Sequence, residues 1–184
     1  FGMKNDNFSS GMVKYVGHEI RAVIMNKLEM DVRDTVLLAN AESIAVEASM
    51  VAYEGVVIAA ERDAGSLRTM EENASKFGTH NIEIIPEITV EALEKLPTPR
   101  LAFIVAQEST IENDIVTLLK VNPKIKFIIY TLELDILADI KYLMKKHGVD
   151  VTEVMQIAVS KVDKNGVFVA QPAPWMITCE VKEK

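Results

Sequence analysis

Short apolar runs that alternate with helix-like segments constrain the fold of this chain more than any other feature. The runs are continuous rather than alternating, which is typical of strands buried on both faces of a parallel sheet. Between them, apolar residues recur at three- and four-residue spacing, which indicates amphipathic helices. This alternation predicts an α/β fold with helices on both faces of a mostly parallel sheet. The predicted strands are 35–38, 56–60, 81–85, 101–105 and 125–130.

The predicted helices are bounded by recognisable signals. Asp63 is suited to cap the N-terminus of a helix over 64–77, and Gly78 is a natural residue just after its end. A short helix over 90–96 is expected to stop before Pro97, because proline disrupts a helix interior. The other predicted helices cover about 17–28, 43–52, 110–120 and 133–147.

The C-terminal part departs from this alternation. Asn165-Gly166 lies between 151–162 and 167–170, and Asn-Gly is a strong signal for a β-hairpin. The stretch from Trp175 to Val181 alternates in a way that extends the second arm of this hairpin. The sequence therefore predicts a Rossmann-like, mostly parallel sheet that is finished by an antiparallel hairpin.

Composition narrows the class of protein. The 184 residues carry a net charge of −7 with scattered lysines and arginines, which disfavours a nucleic-acid partner. No apolar run reaches the ~20 residues that span a bilayer, and the single Cys179 fits a reducing cytoplasm. Residues 1–14 are polar and are predicted to form a flexible N-terminal arm, with 15–184 as a single domain.

Ordinary signatures of catalysis are missing. His18, His80 and His147 are widely separated and show no metal-ligand spacing, so no metal site is predicted. Cys179 has no basic neighbour in its predicted strand, which favours a buried, inert thiol over a nucleophile. No serine, histidine and aspartate form a triad-like group, so the catalytic residues stay unknown.

The turn between the first strand and its helix is the first candidate for a binding site. Nucleotide-like cofactors sit on glycine-rich turns at this place in α/β proteins, but here the turn, 39–42, contains no glycine. If a nucleoside-containing cofactor binds, Ala39 and Asn40 are its candidate contacts in the turn. Glu61 closes the second strand, where an acid can hydrogen-bond ribose hydroxyls.

Several short segments occur in an order and spacing that resemble a known family. They are "HEIRAVIMNKLEM" (18–30), "IAVEAS" (44–49), "VVIAAERD" (56–63), "ENASKFGTHNIEII" (72–85), "EALEKLPTPRLAFIV" (91–105), "TLE" (131–133) and "PAPWMIT" (172–178). Over about 15–180 the chain resembles class I S-adenosylmethionine (SAM)-dependent methyltransferases. Within them it is most similar to the decarboxylating precorrin-6Y C5,15-methyltransferases (T subunit) of cobalamin biosynthesis.

This resemblance implies a seven-stranded sheet, SAM as cofactor and a precorrin-like small-molecule substrate. It also implies assembly into homo-oligomers, either dimers or tetramers, to which the hairpin and the N-terminal arm could contribute contacts. In such a family the first strand ends in an acid that helps hold the amino-acid end of SAM. A turn with three glycines follows, where the backbone approaches the ligand closely.

The chain departs from the family pattern at these same positions. Val36 falls at the acid, and Leu38, Asn40 and Glu42 fall at the three glycines. Ile88 falls where the family pattern implies an acid near the adenine. Val16-Gly17 falls where the pattern implies Thr-Lys. The Gly-Gly loop after the fourth strand reads Ala106-Gln107-Glu108-Ser109. Among these positions, Glu61 alone has the kind of residue, an acid, that the family pattern implies.

Three hypotheses about function remain open at this stage. The favoured one is a pseudoenzyme, a methyltransferase fold that binds SAM weakly or not at all and acts through binding or assembly. The second is an active precorrin methyltransferase that also decarboxylates an acetate side chain. The third is a pocket repurposed for another small metabolite, since a fold does not fix a function. Whether the chain is an enzyme is therefore left undecided by its sequence.

Overall fold

The computed structural model describes residues 16–183, so the predicted arm 1–14 lies outside the described residues. The predicted parallel strands are present with shifts of one residue at most. The strands are β1 (Thr35–Ala39), β2 (Val56–Ala60), β3 (Ile82–Ile85), β4 (Leu101–Val105), β5 (Lys126–Thr131), β6 (Val149–Gln156), β7 (Ser160–Val162), β8 (Phe168–Ala170) and β9 (Trp175–Val181). The helices are α1 (His18–Leu28), α2 (Ser43–Val51), α3 (Ala64–Phe77), α4 (Val90–Leu93), α5 (Ile111–Val121) and α6 (Leu134–Lys146).

Within residues 16–183 the main sheet has seven strands in the order β3-β2-β1-β4-β5-β9-β6. The first five of these run parallel, whereas β9 is antiparallel to both β5 and β6. The Rossmann-like, mostly parallel fold predicted from the sequence is thereby confirmed. None of the helices in this part of the chain is long and apolar enough to cross a membrane.

Continuous apolar strands fill both faces of the sheet. Leu37 and Ala39 of β1 face the cluster that contains residues of α4, α5 and α6. Val36 and Leu38 face the opposite cluster, formed with α1, α2 and α3. All four side chains are fully buried, because successive residues of a strand point to opposite faces.

The helix boundaries follow the signals in the sequence, with one correction. The Asp63 carboxylate accepts a hydrogen bond from the Ser66 N–H at 2.8 Å, and Gly78 ends α3 with a φ of 66°. The short helix α4 ends at Leu93, three residues before the predicted end at 96. Pro97 explains this difference, since its ring would clash with the carbonyl of residue 93 in a continued helix.

The antiparallel hairpin predicted at the C-terminus is confirmed. The Asn165-Gly166 turn, with Gly166 at a φ of 76°, joins β7 and β8, and beyond them β6 pairs with β9 in the same antiparallel sense. Both arms are interrupted, so that β7 and β8 form a separate two-stranded sheet while β9 lies between β5 and β6 in the main sheet. Pro172 and Pro174 lie in the gap between β8 and β9, where their missing N–H groups remove ladder hydrogen bonds.

A buried ion pair joins the first two helices. The Arg21 Nε of α1 lies 2.6 Å from the Glu47 Oε2 of α2, and the two side chains are 1% and 4% exposed. Separating the partners would leave a charge in an apolar environment, which costs several kcal/mol. This pair therefore fixes how α1 packs on α2, and α2 begins immediately after the turn 40–42.

Removing one partner of this pair should destabilise the fold strongly. We expect Arg21→Met and Glu47→Gln each to lower the free energy of unfolding by about 3–5 kcal/mol, since each leaves an uncompensated buried polar group. The double variant Arg21→Met, Glu47→Met should lose less than the sum of the single losses. Urea denaturation followed by circular dichroism measures all three values.

The exposed pair of Arg33 and Glu54 supplies the control. Their side chains are 80% and 46% exposed, so Arg33→Met should change stability far less. Equal losses for Arg21→Met and Arg33→Met would contradict a structural role for the buried pair.

Candidate functional site

The candidate site lies where the carboxyl ends of β1, β2 and β4 meet. β1 pairs in parallel with both neighbours, so the residues that follow these strands emerge at one edge of the sheet. This is the edge where ligands bind in open α/β sheets. The turn 40–42, Glu61 and the loop 106–110 all belong to it.

The turn 40–42 adopts the backbone of a glycine turn without containing a glycine. Asn40 has a φ of 57° and Glu42 a φ of 40° with a ψ of −112°. Asparagine tolerates the left-handed region, but glutamate at this ψ carries strain of about 1–3 kcal/mol. The third aligned position, Leu38, lies within β1, is fully buried and has no positive φ. Two of the three positions at which the resemblance implies glycine therefore have a positive φ.

Glu61 is directed at the protein's own turn. Its Oε1 accepts a hydrogen bond from the backbone N–H of Glu42 at 2.9 Å, and the residue is only 3% exposed. Burial raises the pKa of Glu61, the nearby charges of Glu42 and Asp63 add to the rise, and the pKa reaches about 7 from the ordinary value of 4.5. The backbone N–H groups of Glu42 and Ala41 oppose the rise. The acid that was predicted to hold a ribose is thus engaged by the turn.

Asn40 is likewise occupied by contacts within the protein. Its backbone N–H donates to the Ala60 carbonyl at 2.9 Å, and its Nδ2 donates to the Val105 carbonyl at 3.2 Å. These bonds tie the turn to the ends of β2 and β4. Ala39 is fully buried in β1 and pairs with Ala60. The structure thus brings Ala39, Asn40 and Glu61 together, and it shows no exposed group on any of them.

An ion pair that the sequence did not reveal spans the same edge. The Arg62 Nη2 lies 2.6 Å from the Asp114 Oδ1 in the first turn of α5. Burial raises the pKa of Asp114; Arg62 acts against this rise and Glu87 adds to it. The partners are 52 positions apart, so no local pattern could have joined them. The pair connects the loop after β2 to the helix after β4.

The other positions that the resemblance singled out are apolar and enclosed. Val36, at the place of the acid, is fully buried in the cluster with α1 to α3. Ile88, at the place of the adenine-side acid, is 1% exposed and belongs to the opposite cluster. Neither side chain can accept a hydrogen bond from a ligand. Val36 is the second residue of β1, so it lies before the carboxyl end of that strand.

The structure places the possible metal ligands and the single thiol as follows. Among the described residues 16–183, no three histidine, cysteine, aspartate or glutamate side chains are grouped as metal ligands. Cys179 is fully buried in β9, and burial raises the pKa of its thiol to about 12. A thiol in this state is almost wholly protonated at neutral pH and is a poor nucleophile.

The strand order, with five parallel strands followed by an antiparallel pair, and the site at their carboxyl ends define a class I methyltransferase fold. Residues 11–181 match the family model described as the precorrin methyltransferase domain. The chain therefore belongs to the precorrin methyltransferase domain family. A search of curated proteins gave no significant match.

Solved structures show the same fold at low identity. The chain is similar to a precorrin-6Y C5,15-methyltransferase from Geobacter metallireducens, with a TM-score of 0.88 and 24% identity over 98% of this chain and 96% of that one. It is also similar to a precorrin 8W decarboxylase from Methanobacterium thermoautotrophicum, with a TM-score of 0.74 and 19% identity over 97% and 96%. A third similar structure is the C-terminal domain of a precorrin-6Y C5,15-methyltransferase from Rhodobacter capsulatus (TM-score 0.77, 16% identity, 97% of both chains).

Because Glu61 is buried, the substitution Glu61→Gln is expected to stabilise the fold to an extent that depends on pH. Because the pKa in the folded state lies above the ordinary value of 4.5, folding favours the protonated acid. The stability that protonated Glu61 contributes is present below about pH 4.5 and is lost as the pH rises through 7. We expect Glu61→Gln to raise the free energy of unfolding by about 2–3 kcal/mol above pH 8 and to change little below pH 5.

Urea denaturation at the two pH values measures this difference, with Glu83→Gln as the matched control. Glu83 is an exposed acid of β3, so its substitution should have a small effect at both pH values. A Glu61→Gln effect that is the same above pH 8 and below pH 5 would contradict the buried, proton-binding state.

Proposed function

We propose that this chain is a pseudo-methyltransferase of the precorrin methyltransferase family. It keeps the fold, binds SAM weakly or not at all, and works through binding or assembly. The observation that carries this proposal is the hydrogen bond from the Glu42 N–H to the Glu61 carboxylate at 2.9 Å. A ribose would have to compete with the protein's own backbone for this acid.

The energetics of that competition disfavour the cofactor. Glu61 would have to break its bond to the turn and become accessible, although it is 3% exposed. Leaving the Glu42 N–H without a partner costs about 1–3 kcal/mol if the group stays buried. Glu42 also places a second carboxylate beside Glu61, and its charge raises the pKa of Glu61. Each step reduces the binding free energy available to SAM.

The amino-acid end of SAM would also lack its expected contact. The family pattern places an acid at the end of the first strand to hold the amino-acid end of SAM, and Val36 has no group that accepts a hydrogen bond. In the turn, the backbone keeps its path while Asn40 and Glu42 add side chains where glycine lets a ligand approach closely. We infer that the turn retained its conformation after losing its ligand.

Isothermal titration calorimetry of the purified protein with SAM and with S-adenosylhomocysteine tests this proposal. We expect no saturable binding of either compound. Micromolar binding would contradict the proposal directly. The variant Asn40→Gly, Glu42→Gly removes both side chains from the turn and should bind S-adenosylhomocysteine measurably if they are the obstacle. Glu83→Gln is the control, since it removes an exposed acid outside the site.

A second candidate is an active SAM-dependent precorrin methyltransferase and decarboxylase of cobalamin biosynthesis. It is supported by the family match over residues 11–181, by Glu61 at the end of β2 and by the positive φ values in the turn. A repurposed pocket for another small metabolite is supported by the Arg62–Asp114 pair at the same edge. The calorimetric titration separates the active methyltransferase from the pseudoenzyme. A thermal shift with a different metabolite would favour the repurposed pocket.

We also propose that the chain forms homo-oligomers, as the family resemblance implies. The β7–β8 hairpin supports this, because it is a separate two-stranded sheet with exposed apolar side chains, and such hairpins are marginally stable alone. Phe168 is 74% exposed, with Val162 and Val169 more than half exposed.

Light scattering coupled to size exclusion tests this proposal. We expect the unmodified chain to have the mass of a dimer or tetramer and Val162→Lys, Phe168→Lys to shift it towards a single chain, because burying lysine at an apolar interface is costly. Tyr53→Lys is the control, since it adds a charge at another exposed residue. A single-chain mass for the unmodified protein would contradict the proposal.

A further inference from the structure

The turn between β7 and β8 carries a chemically reactive pair of residues, Asn165-Gly166. Both residues are exposed, and no atom lies within 4 Å of the position that a Cβ on Gly166 would occupy. Among residues 16–183, the Asn165 side chain has no hydrogen-bond partner. Its amide is therefore free to rotate, and no side chain on Gly166 hinders an approach to the backbone nitrogen of that residue.

Asparagine followed by glycine reacts without an enzyme, which is one reason why asparagine is a thermolabile residue. The backbone nitrogen of Gly166 loses its proton and attacks the side-chain carbonyl carbon of Asn165. A C–N bond forms there as the amide nitrogen leaves as ammonia, which gives a succinimide ring. One water molecule then opens the ring at either carbonyl. The products are aspartate and isoaspartate, and no oxidant, reductant or cofactor is consumed.

The closed turn restrains this reaction. The Gly166 N–H donates a hydrogen bond to the Asp163 carbonyl at 3.1 Å, so the attacking nitrogen is engaged. The Asp163 carboxylate accepts hydrogen bonds from the N–H groups of Asn165 at 2.8 Å and Val167 at 3.1 Å. Cyclisation therefore requires the turn to open, and its rate depends on how often the hairpin opens.

The hairpin opens at low cost, because it has little to hold it closed. The strands β7 and β8 have three residues each, and all six are exposed. A two-stranded sheet without a buried face is marginally stable in water. The ion pair of Lys161 with Glu19 of α1 is partly exposed and adds little. Local opening of the hairpin thus needs far less free energy than unfolding of the whole chain.

We propose that Asn165 is a site of spontaneous modification, which deamidates in the folded protein and thereby unpairs β7 from β8. Isoaspartate adds one carbon atom to the main chain, so the Asp163 N–H can no longer meet the Val167 carbonyl, now 2.8 Å away, in the same register. Either product also places a new carboxylate two residues from Asp163, where like charges repel.

The inference does not depend on the proposed function. The turn 163–166 is separate from the turn 40–42 and from Glu61, so deamidation proceeds whether or not the chain binds SAM. The surface that we assign to oligomer contacts consists of Val162, Phe168 and Val169, which flank the turn. The chemistry of the turn is tested separately from the mass of the assembly.

Mass spectrometry of the full chain, incubated in mildly alkaline buffer either folded or unfolded in urea, tests the reaction. Peptide fragmentation locates the product and separates aspartate from isoaspartate. We expect Asn165 in the folded chain to react within about tenfold of its rate in urea, because the hairpin opens readily. Asn26 and Asn113 are exposed asparagines within α1 and α5, and they should give no product in the folded chain over the same time.

Hydrogen exchange before and after incubation tests the structural effect. We expect faster exchange in 160–170 after the reaction and unchanged exchange in the main sheet. Asn165→Ser removes the amide that reacts and should show no change with time. Asn113→Ser is the matched control, since it removes an exposed asparagine elsewhere and should change with time as the unmodified chain does.

Three results would overturn the inference. The first is an intact Asn165 in the folded chain after the unfolded chain has reacted completely, which would show that the turn stays closed. The second is reaction of Asn26 and Asn113 in the folded chain as fast as that of Asn165. The third is unchanged hydrogen exchange in 160–170 after Asn165 has been converted.

Discussion

The hydrogen bond from the Glu42 N–H to the Glu61 carboxylate joins the turn 40–42 to the end of β2. It engages the acid that the sequence predicted as a ribose ligand. Burial raises the pKa of Glu61 to about 7, so that near neutral pH a substantial fraction of the molecules carry a proton on this acid. The strained backbone of Glu42 remains because Asn40 ties the turn to β2 and β4.

The fold does not depend on that edge. Both apolar clusters extend along the strands, and the buried Arg21–Glu47 pair holds α1 against α2 on one face. A chain with this core can lose the polar contacts of its ligand site and still fold, since stability comes mainly from buried apolar area. Family membership therefore fixes the architecture of this protein, while the chemistry of the site has to be judged from its own residues.

Local signals in the sequence were sufficient for most of the fold. Asp63 and Gly78 bounded α3, and continuous apolar runs located the five parallel strands, because these patterns depend on neighbouring residues. The Asn165-Gly166 turn signal located the hairpin and with it the pairing of β9 with β6. The pairing of β9 with β5 could not be read in this way, since it joins distant parts of the chain. In the site, the missing glycines were visible in the sequence. The direction of the Glu61 side chain and the Arg62–Asp114 pair were not, because both depend on contacts across the sheet edge.

A crystal structure grown with excess S-adenosylhomocysteine tests the central claim most directly. The account predicts that the Glu61 carboxylate still accepts its hydrogen bond from the Glu42 N–H, with no ligand density along the turn 40–42. Density for the ligand at the turn, with Glu61 bonded to its ribose hydroxyls, would contradict the account and restore this chain to the SAM-binding members of its family.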